Sequence, residues 1–238
     1  MPNEDVVLGF DDQLIIVHNP RRNVIGQEIF LKGVWEPEVT RYIASRIRPG
    51  MTILDVGADI GYYTLLFAKR VGPQGMVFAF EPIPEACVTL EKNIRLNGYQ
   101  NVRVLDYALY DSNGFFVLEG PLDISRINPL KAGEGENDLR VETRVFDDCL
   151  EELDVDCIDL VKIDVEGAEM NVLEGMKKSL QKFHPALLVE VHPNYLGSFN
   201  RASEDLMEFL DDMGYRITPV DRPALNFQKG NITIHCRY

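Results

Sequence analysis

Cysteine is scarce in this chain. There are four among 238 residues, Cys87, Cys149, Cys157 and Cys236, and no two of them form a Cys-x-x-Cys pair. That spacing suits neither a zinc site nor a dense disulfide framework, so they are read as small, buried or half-buried residues in a reducing compartment. Positive charge is also short. Twenty-four lysines and arginines face 38 aspartates and glutamates, a formal net charge of -14. Such a surface repels phosphate backbones, and no arginine-rich run opposes it, so nucleic acid is not an expected partner. No window approaches the roughly 18 apolar residues of a membrane span. The opening decapeptide MPNEDVVLGF is acidic and lacks a long apolar run, so it does not read as a secretory leader; the cytoplasm is the expected compartment. An apolar fraction of 45% is ordinary for a soluble domain with a sizeable core.

What is present is an alternation of short β-rich runs with longer helical patterns, the signature of stacked βαβ units in a mostly parallel, doubly wound α/β sheet. Strands are expected at Met51–Gly57, Met76–Glu81, Val102–Asp106, Ile158–Val165 and Ala186–Val191. Helices are expected at Gly61–Val71, Pro84–Asn97 and Ala168–Gln181, and from a Ser203 cap to Met213. Asn97-Gly98 reads as a left-handed helix end, and Gly214 as another stop. Tyr215–Val220 and Asn231–Arg237 read as a final hairpin pair at one sheet edge. Phe115–Leu118 and Val141–Val145 read as further strands, and the Gly-, Pro- and charge-rich stretch 120–140 as a long loop. Residues 1–36 form a short N-terminal extension with weak strands at Leu14–Val17 and Gln27–Leu31, ahead of a domain over 37–238 that opens with a helix from Pro37 to Arg48.

Two stretches carry chemistry. Asp55-Val56-Gly57-Ala58-Asp59-Ile60-Gly61 follows an apolar strand and opens a helix, where glycines let a ligand approach backbone N–H groups closely. Glu81 stands twenty residues beyond Gly61, at the end of the next strand, where a carboxylate can accept both ribose hydroxyls of an adenosine ligand. Asp59 is a poor neighbour for a pyrophosphate, and with Asp55 it suits a ligand bearing an ammonium and a sulfonium. The chemistry tilts from NAD towards S-adenosylmethionine. The second stretch is Lys162-Ile163-Asp164-Val165-Glu166-Gly167-Ala168-Glu169. It lies at the carboxyl end of a core strand, the edge that flanks the ligand crevice in open α/β sheets. Glu190 and His192, at the end of the next strand, alternate to one side near Asp164. Such a group could deprotonate a hydroxyl or hold Mg, Mn or Zn; no metal ligand is assigned. Glu169, in a first helical turn, could equally serve the helix dipole.

These elements resemble the FkbM-family S-adenosylmethionine-dependent methyltransferases. The resemblance is carried in order by Gly33-Val34-Trp35-Glu36-Pro37, the Asp55-to-Gly61 loop, Phe80-Glu81-Pro82, Asn93-Ile94-Arg95-Leu96-Asn97-Gly98, the Lys162-to-Glu169 run and Glu190-Val191-His192-Pro193. It implies a class I, Rossmann-like sheet of seven strands with the last reversed, and methyl transfer to an oxygen, commonly a hydroxyl of a sugar or natural product. By match, Asp55, Gly57, Gly61 and Glu81 fall on the cofactor site, and Asp164 and Glu166 at the active-site rim. The family usually has Asn where this chain has Asp59.

The expected cofactor set is therefore Asp55, Gly57, Ala58, Asp59, Gly61, Glu81, Tyr107, Ala108 and Asp164, with adenine near Tyr107 and Ala108 and S-adenosylhomocysteine as the product. The expected catalytic set is Asp164, Glu166 and His192. The expected partner is a small hydroxylated acceptor, and a homo-oligomer is left open. A catalytically silent methyltransferase fold used as a scaffold and an NAD-dependent oxidoreductase are the competing functions. Without an Asn/Asp-Pro-Pro-Tyr/Phe run at the fourth strand, amino methylation of bases is not favoured.

Overall fold

The computed structural model describes residues 5–17, 24–119, 126–128, 139–197 and 201–238. Two compact units divide the chain, Met1–Leu105 and Asp106–Tyr238. The first holds β1 (Val6–Phe10), β2 (Gln13–Val17), α1 (Val24–Lys32), α2 (Pro37–Ala44), β3 (Thr52–Val56), α3 (Tyr62–Val71), β4 (Met76–Phe80), α4 (Pro84–Leu96) and β5 (Val102–Leu105). The second runs through β6 (Ala108–Leu109), β7 (Gly114–Glu119), β8 (Arg126–Asn128), β9 (Leu139–Arg144), α5 (Phe146–Leu153), β10 (Leu160–Ile163), α6 (Glu169–Gly175) and α7 (Lys177–Phe183). It ends with β11 (Ala186–Val191), α8 (Pro193–Leu196), α9 (Ser203–Asp212), β12 (Arg216–Pro219) and β13 (Ile232–Arg237). The main sheet has seven strands in the order β12-β13-β11-β10-β3-β4-β5. This is the α/β class expected from the alternating pattern, with the expected reversed strand: β13 is antiparallel to β11 and β12.

In the first unit β3, β4 and β5 pair in parallel, Thr52 beside Met76 and Val77 beside Val102. Ile53 to Val56 and Val77 to Phe80 are all buried, as for strands covered on both faces. β1 and β2 form a separate antiparallel hairpin. Its turn is Asp11-Asp12, both with positive φ (47° and 56°), the conformation a two-residue hairpin matched to strand twist requires. The carboxamides of Asn93 on α4 and of Asn97, which caps its C-terminus, bind β2 as another strand would. Ile16 N–H donates to Asn93 Oδ1 (2.6 Å) and Leu14 N–H to Asn97 Oδ1 (2.9 Å). The amide nitrogens return bonds to the carbonyls of Ile16 (3.2 Å) and Leu14 (2.7 Å). The match is metric: four residues of helix rise about 6.0 Å, and two of strand about 6.6 Å.

In the second unit β10 and β11 are parallel neighbours, with Lys162 beside Leu188. A further four-stranded sheet, β6-β9-β7-β8, precedes them. Asp147 on α5 accepts the N–H groups of Lys178 (2.7 Å) and Ser179 (2.8 Å), satisfying donors that the start of α7 leaves open.

Several expectations need correction. Gln27–Leu31 is not a strand; it lies in α1, where Gly26 and Ile29, three apart, are the buried positions and Glu28 pairs with Lys32 at 2.7 Å. β1 was not anticipated, nor were α5 and the second sheet. The helix expected over 168–181 is two helices meeting at Met176. Ser203 does not cap α9 but begins it; Asp205 closes the turn by accepting the Ala202 N–H at 2.7 Å. Of the expected loop 120–140, residues 120–125 and 129–138 lie outside the described residues, while 126–128 form β8 and 139–140 begin β9.

Candidate active site

In the first unit, β3 delivers Asp55 to the sheet's carboxyl edge, and three left-handed residues follow: Gly57 (φ 82°), Asp59 (φ 48°) and Gly61 (φ 96°). The N–H groups of Gly57 and Ala58 both donate to Phe80 O, at 3.0 and 3.1 Å, which ties the loop to the end of β4. The φ of Gly61 favours glycine, and a Cβ there would stand 2.4 Å from Leu90 Cδ1, so any side chain would also have to displace that methyl. Asp55 is buried, and Thr64 in the first turn of α3 donates to its Oδ2 at 2.5 Å. Asn93 holds the far side of the loop, donating to Ile60 O at 2.8 Å.

Glu81 follows β4 and is only 5% exposed. Its Oε2 accepts the Asp59 N–H (2.8 Å) and its Oε1 the Ile83 N–H (2.9 Å). Burial, reinforced by the nearby Asp59 carboxylate and more weakly by Asp55, raises its pKa to about 8 against the opposing effect of the two N–H donors. The expected residues Asp55, Gly57, Ala58, Asp59, Gly61 and Glu81 thus form one cluster within this unit. Further out, Tyr63 donates to Glu36 Oε2 at 2.6 Å, and Trp35 N–H donates to the Tyr62 hydroxyl at 3.2 Å. Trp35 itself is half-buried.

The second unit gathers Asp164, Glu166, Glu169, Glu190 and His192 at the ends of β10 and β11. Asp164 directly follows β10, and Glu166 (φ 52°) and Gly167 (φ 110°) turn the chain sharply into α6. Glu169, 0% exposed, accepts the Gly167 N–H (2.8 Å) and binds His192 Nδ1 (2.7 Å), both through Oε1. His192 is 1% exposed, and the Tyr195 ring lies parallel to it at 5.8 Å. Its other nitrogen, Nε2, faces Glu166 Oε2 at 3.5 Å, Glu190 Oε1 at 3.6 Å and Asp164 Oδ1 at 3.8 Å. Lys162, buried on β10, donates to Asp164 Oδ2 at 3.0 Å, and Asn231 donates to Glu190 Oε1 at 3.2 Å. Burial works to lower the imidazole's pKa, but its hydrogen bond to Glu169 and the charges of Glu169, Asp164 and Glu190 push it up to about 9. Burial likewise works to raise the Asp164 carboxyl; Lys162 and His192 hold it below the ordinary value.

Asp164, Glu166 and His192 are therefore brought together, as expected of the strand ends, and Glu190 joins them. Glu169 is the residue sequence reasoning undervalued. It is buried along with Met170, Val172 and Leu173, where a carboxylate needs a partner, but a first-turn glutamate carries no sign of that in the sequence. Tyr107 and Ala108 are buried in the second unit, where the Arg144 guanidinium lies 4.4 Å over the Tyr107 ring.

The Methyltransferase FkbM domain matches residues 55–217. The chain is 29% identical over 174 residues to 2-O-methyltransferase NoeI of Sinorhizobium fredii, covering 64% of this chain and 70% of that protein. It is 32% identical over 158 residues to the hexuronic acid methyltransferase AglP of Haloferax volcanii, covering 66% of this chain and 62% of that one. Against the AMB antimetabolite synthetase AmbE of Pseudomonas aeruginosa it spans 10% of the relative's length at 27% identity. Among solved structures, an FkbM methyltransferase from Methylobacillus flagellatus shares the fold with a TM-score of 0.53 at 16% identity, over 91% of this chain and 56% of that one. Aeropyrum pernix fibrillarin, solved with S-adenosylmethionine, shares it with a TM-score of 0.51 at 15% identity, over 98% of this chain and 82% of that one. The chain belongs to the FkbM family of S-adenosylmethionine-dependent methyltransferases.

Proposed function

We propose that this chain transfers the methyl group of S-adenosylmethionine to a hydroxyl oxygen of a small sugar or natural-product acceptor in the cytoplasm. The observation that carries the cofactor half is Glu81, a buried carboxylate at the end of β4 held against the glycine loop by the Asp59 N–H. There it accepts the ribose hydroxyls, while the Gly57–Gly61 backbone and the carboxylates of Asp55 and Asp59 receive the methionine portion. Tyr107 and Ala108 are assigned to the adenine. The oxygen acceptor is supported by the name of one relative, a 2-O-methyltransferase, and the sugar by that of another, a hexuronic acid methyltransferase.

The acceptor hydroxyl meets Asp164, Glu166 and His192. As its oxygen attacks the methyl carbon, the O–C bond forms and the C–S bond breaks. The electron pair stays on sulfur to give S-adenosylhomocysteine, and the hydroxyl proton passes to this carboxylate–histidine group. Alignment of oxygen, carbon and sulfur supplies much of the rate.

Calorimetric titration with S-adenosylmethionine and, separately, S-adenosylhomocysteine tests the reading. Both should bind at one site and lose that binding in Glu81→Ala. Labelled methyl transfer to hydroxylated sugars should then drop at least about a hundredfold in Asp164→Asn, the scale of acid–base assistance. If folded wild-type protein binds neither ligand, the proposal fails and a scaffold role takes its place.

A further inference from the structure

The geometry points to a divalent-cation site in the second unit, with His192 Nε2, Asp164 Oδ1 and a Glu190 oxygen as ligands. Atoms of these three residues lie within 4.8 Å of one another. The feature that separates this cluster from an ordinary acidic patch is the histidine. His192 is 99% removed from solvent, yet the carboxylate oxygens that face its Nε2 stand at 3.5, 3.6 and 3.8 Å, beyond the usual hydrogen-bond length. A ring nitrogen of a buried histidine that faces three carboxylates suits an ion between them. Ligands about 2.1 Å from one ion stand roughly 3.0 to 3.5 Å apart in octahedral or tetrahedral arrangement, so the two spacings from His192 Nε2, 3.6 Å to Glu190 Oε1 and 3.8 Å to Asp164 Oδ1, need to shorten by only a few tenths of an ångström.

The surroundings fix the atoms in the sense a metal needs. Glu169 Oε1 holds Nδ1 at 2.7 Å, the carboxylate–histidine arrangement that presents Nε2 as the ligand. Lys162 takes Asp164 Oδ2 at 3.0 Å and leaves Oδ1 on the side of the imidazole. Asn231 steadies Glu190 from β13's approach at 3.2 Å. Four carboxylates, of Asp164, Glu166, Glu169 and Glu190, surround one histidine and one lysine, an imbalance that a doubly charged ion corrects. One imidazole with carboxylates suits Mn2+ or Zn2+ better than Ca2+. In the proposed reaction such an ion would bind the acceptor oxygen and make its hydroxyl more acidic. Glu166, the most exposed of the carboxylates facing Nε2, would then receive the proton. Cation binding itself does not depend on the acceptor assignment.

The whole chain, treated with EDTA and desalted, is titrated with Mn2+ while the free-ion electron paramagnetic resonance signal is followed. One Mn2+ per chain should bind at sub-millimolar concentration, with Zn2+ competing for it. Glu190→Gln, at a partly exposed position, should weaken binding at least about tenfold with an unchanged melting transition; His192→Ala should do so more severely. Glu169→Gln, which touches no ion in this scheme, should weaken it by roughly 10- to 100-fold through the imidazole. The site is overturned if cooperatively folded wild-type protein leaves the millimolar Mn2+ signal undiminished, or if Glu190→Gln and His192→Ala bind as wild type does. S-adenosylmethionine is titrated into the same samples. Binding of the nucleoside without Mn2+ removes the metal site alone; binding of Mn2+ without the nucleoside upholds the site and removes the methyltransferase reading.

Discussion

Glu81 occupies a place where burial and a neighbouring acid both oppose its charge, and two backbone N–H groups only partly offset them. Ribose hydroxyls are donors, so the ionised carboxylate is the form that binds them best. With the free protein's Glu81 near 8, affinity for S-adenosylhomocysteine should rise as pH increases from about 6 and level off above about 8, and binding below that point should release a proton. Calorimetry in buffers of different ionisation enthalpy reads that proton directly; a pH-independent affinity would remove Glu81 from the ribose. The same shift has a cost. An acid raised from 4.5 to about 8 on folding destabilises the folded state progressively across that interval, so Glu81→Gln should melt increasingly above wild type as pH rises through it. Asp59→Asn tests the second cause. Asparagine tolerates the left-handed φ of 48° and removes the charge, so the inflection in affinity should move to lower pH without loss of fold. Most of these residues were legible: the glycines and the carboxylate twenty positions on announce themselves by spacing. Glu169 was not, because a first-turn glutamate looks the same whether it faces water or a histidine from a strand 23 residues away.

At the level of elements, the asparagines of α4 show what a sequence motif can hold beyond the reacting groups. Asn93 is fully buried and bridges β2 and the glycine loop through Ile16 and Ile60. Asn93→Ala leaves the carbonyls of Ile16 and Ile60 and the Ile16 N–H without their partner, a loss of about 3 kcal/mol in urea denaturation at roughly 1–3 kcal/mol per orphaned group. The half-exposed Asn97→Ala should cost about 1 kcal/mol or less, because water replaces its partner. Hydrogen exchange at Ile16 should quicken in the first variant more than at any core-strand amide; unchanged exchange there would mean the clamp contributes nothing. Elements buried on both faces were readable as apolar runs. The misread ones were short: Gln27–Leu31 has too few residues to separate a helical from a strand period, β6 spans two residues, and α5 buries only Phe146, Cys149 and Leu153 along eight acidic-rich positions.

For the whole molecule the alternation of strands and helices predicted a parallel core, and the reversed β13 followed from the hairpin read at the end of the chain together with the family resemblance. Fold alone does not choose the acceptor: fibrillarin and FkbM methyltransferases share this architecture with the chain at similar TM-scores. Charge supplies a test. Binding a polyanion requires lysines and arginines that displace condensed counterions, with log affinity falling steeply against log salt as the mark of each phosphate contact. A chain of net charge -14 has to overcome its own field before the first such contact forms. The protein should therefore pass unretained through heparin at about 50 mM salt, where phosphate-neutralising proteins bind strongly, and single-stranded RNA should leave its S-adenosylhomocysteine affinity unchanged. Retention that weakens steeply with added salt would show a basic face hidden within an acidic total, and the acceptor would then have to be sought among nucleic acids instead of small hydroxylated molecules.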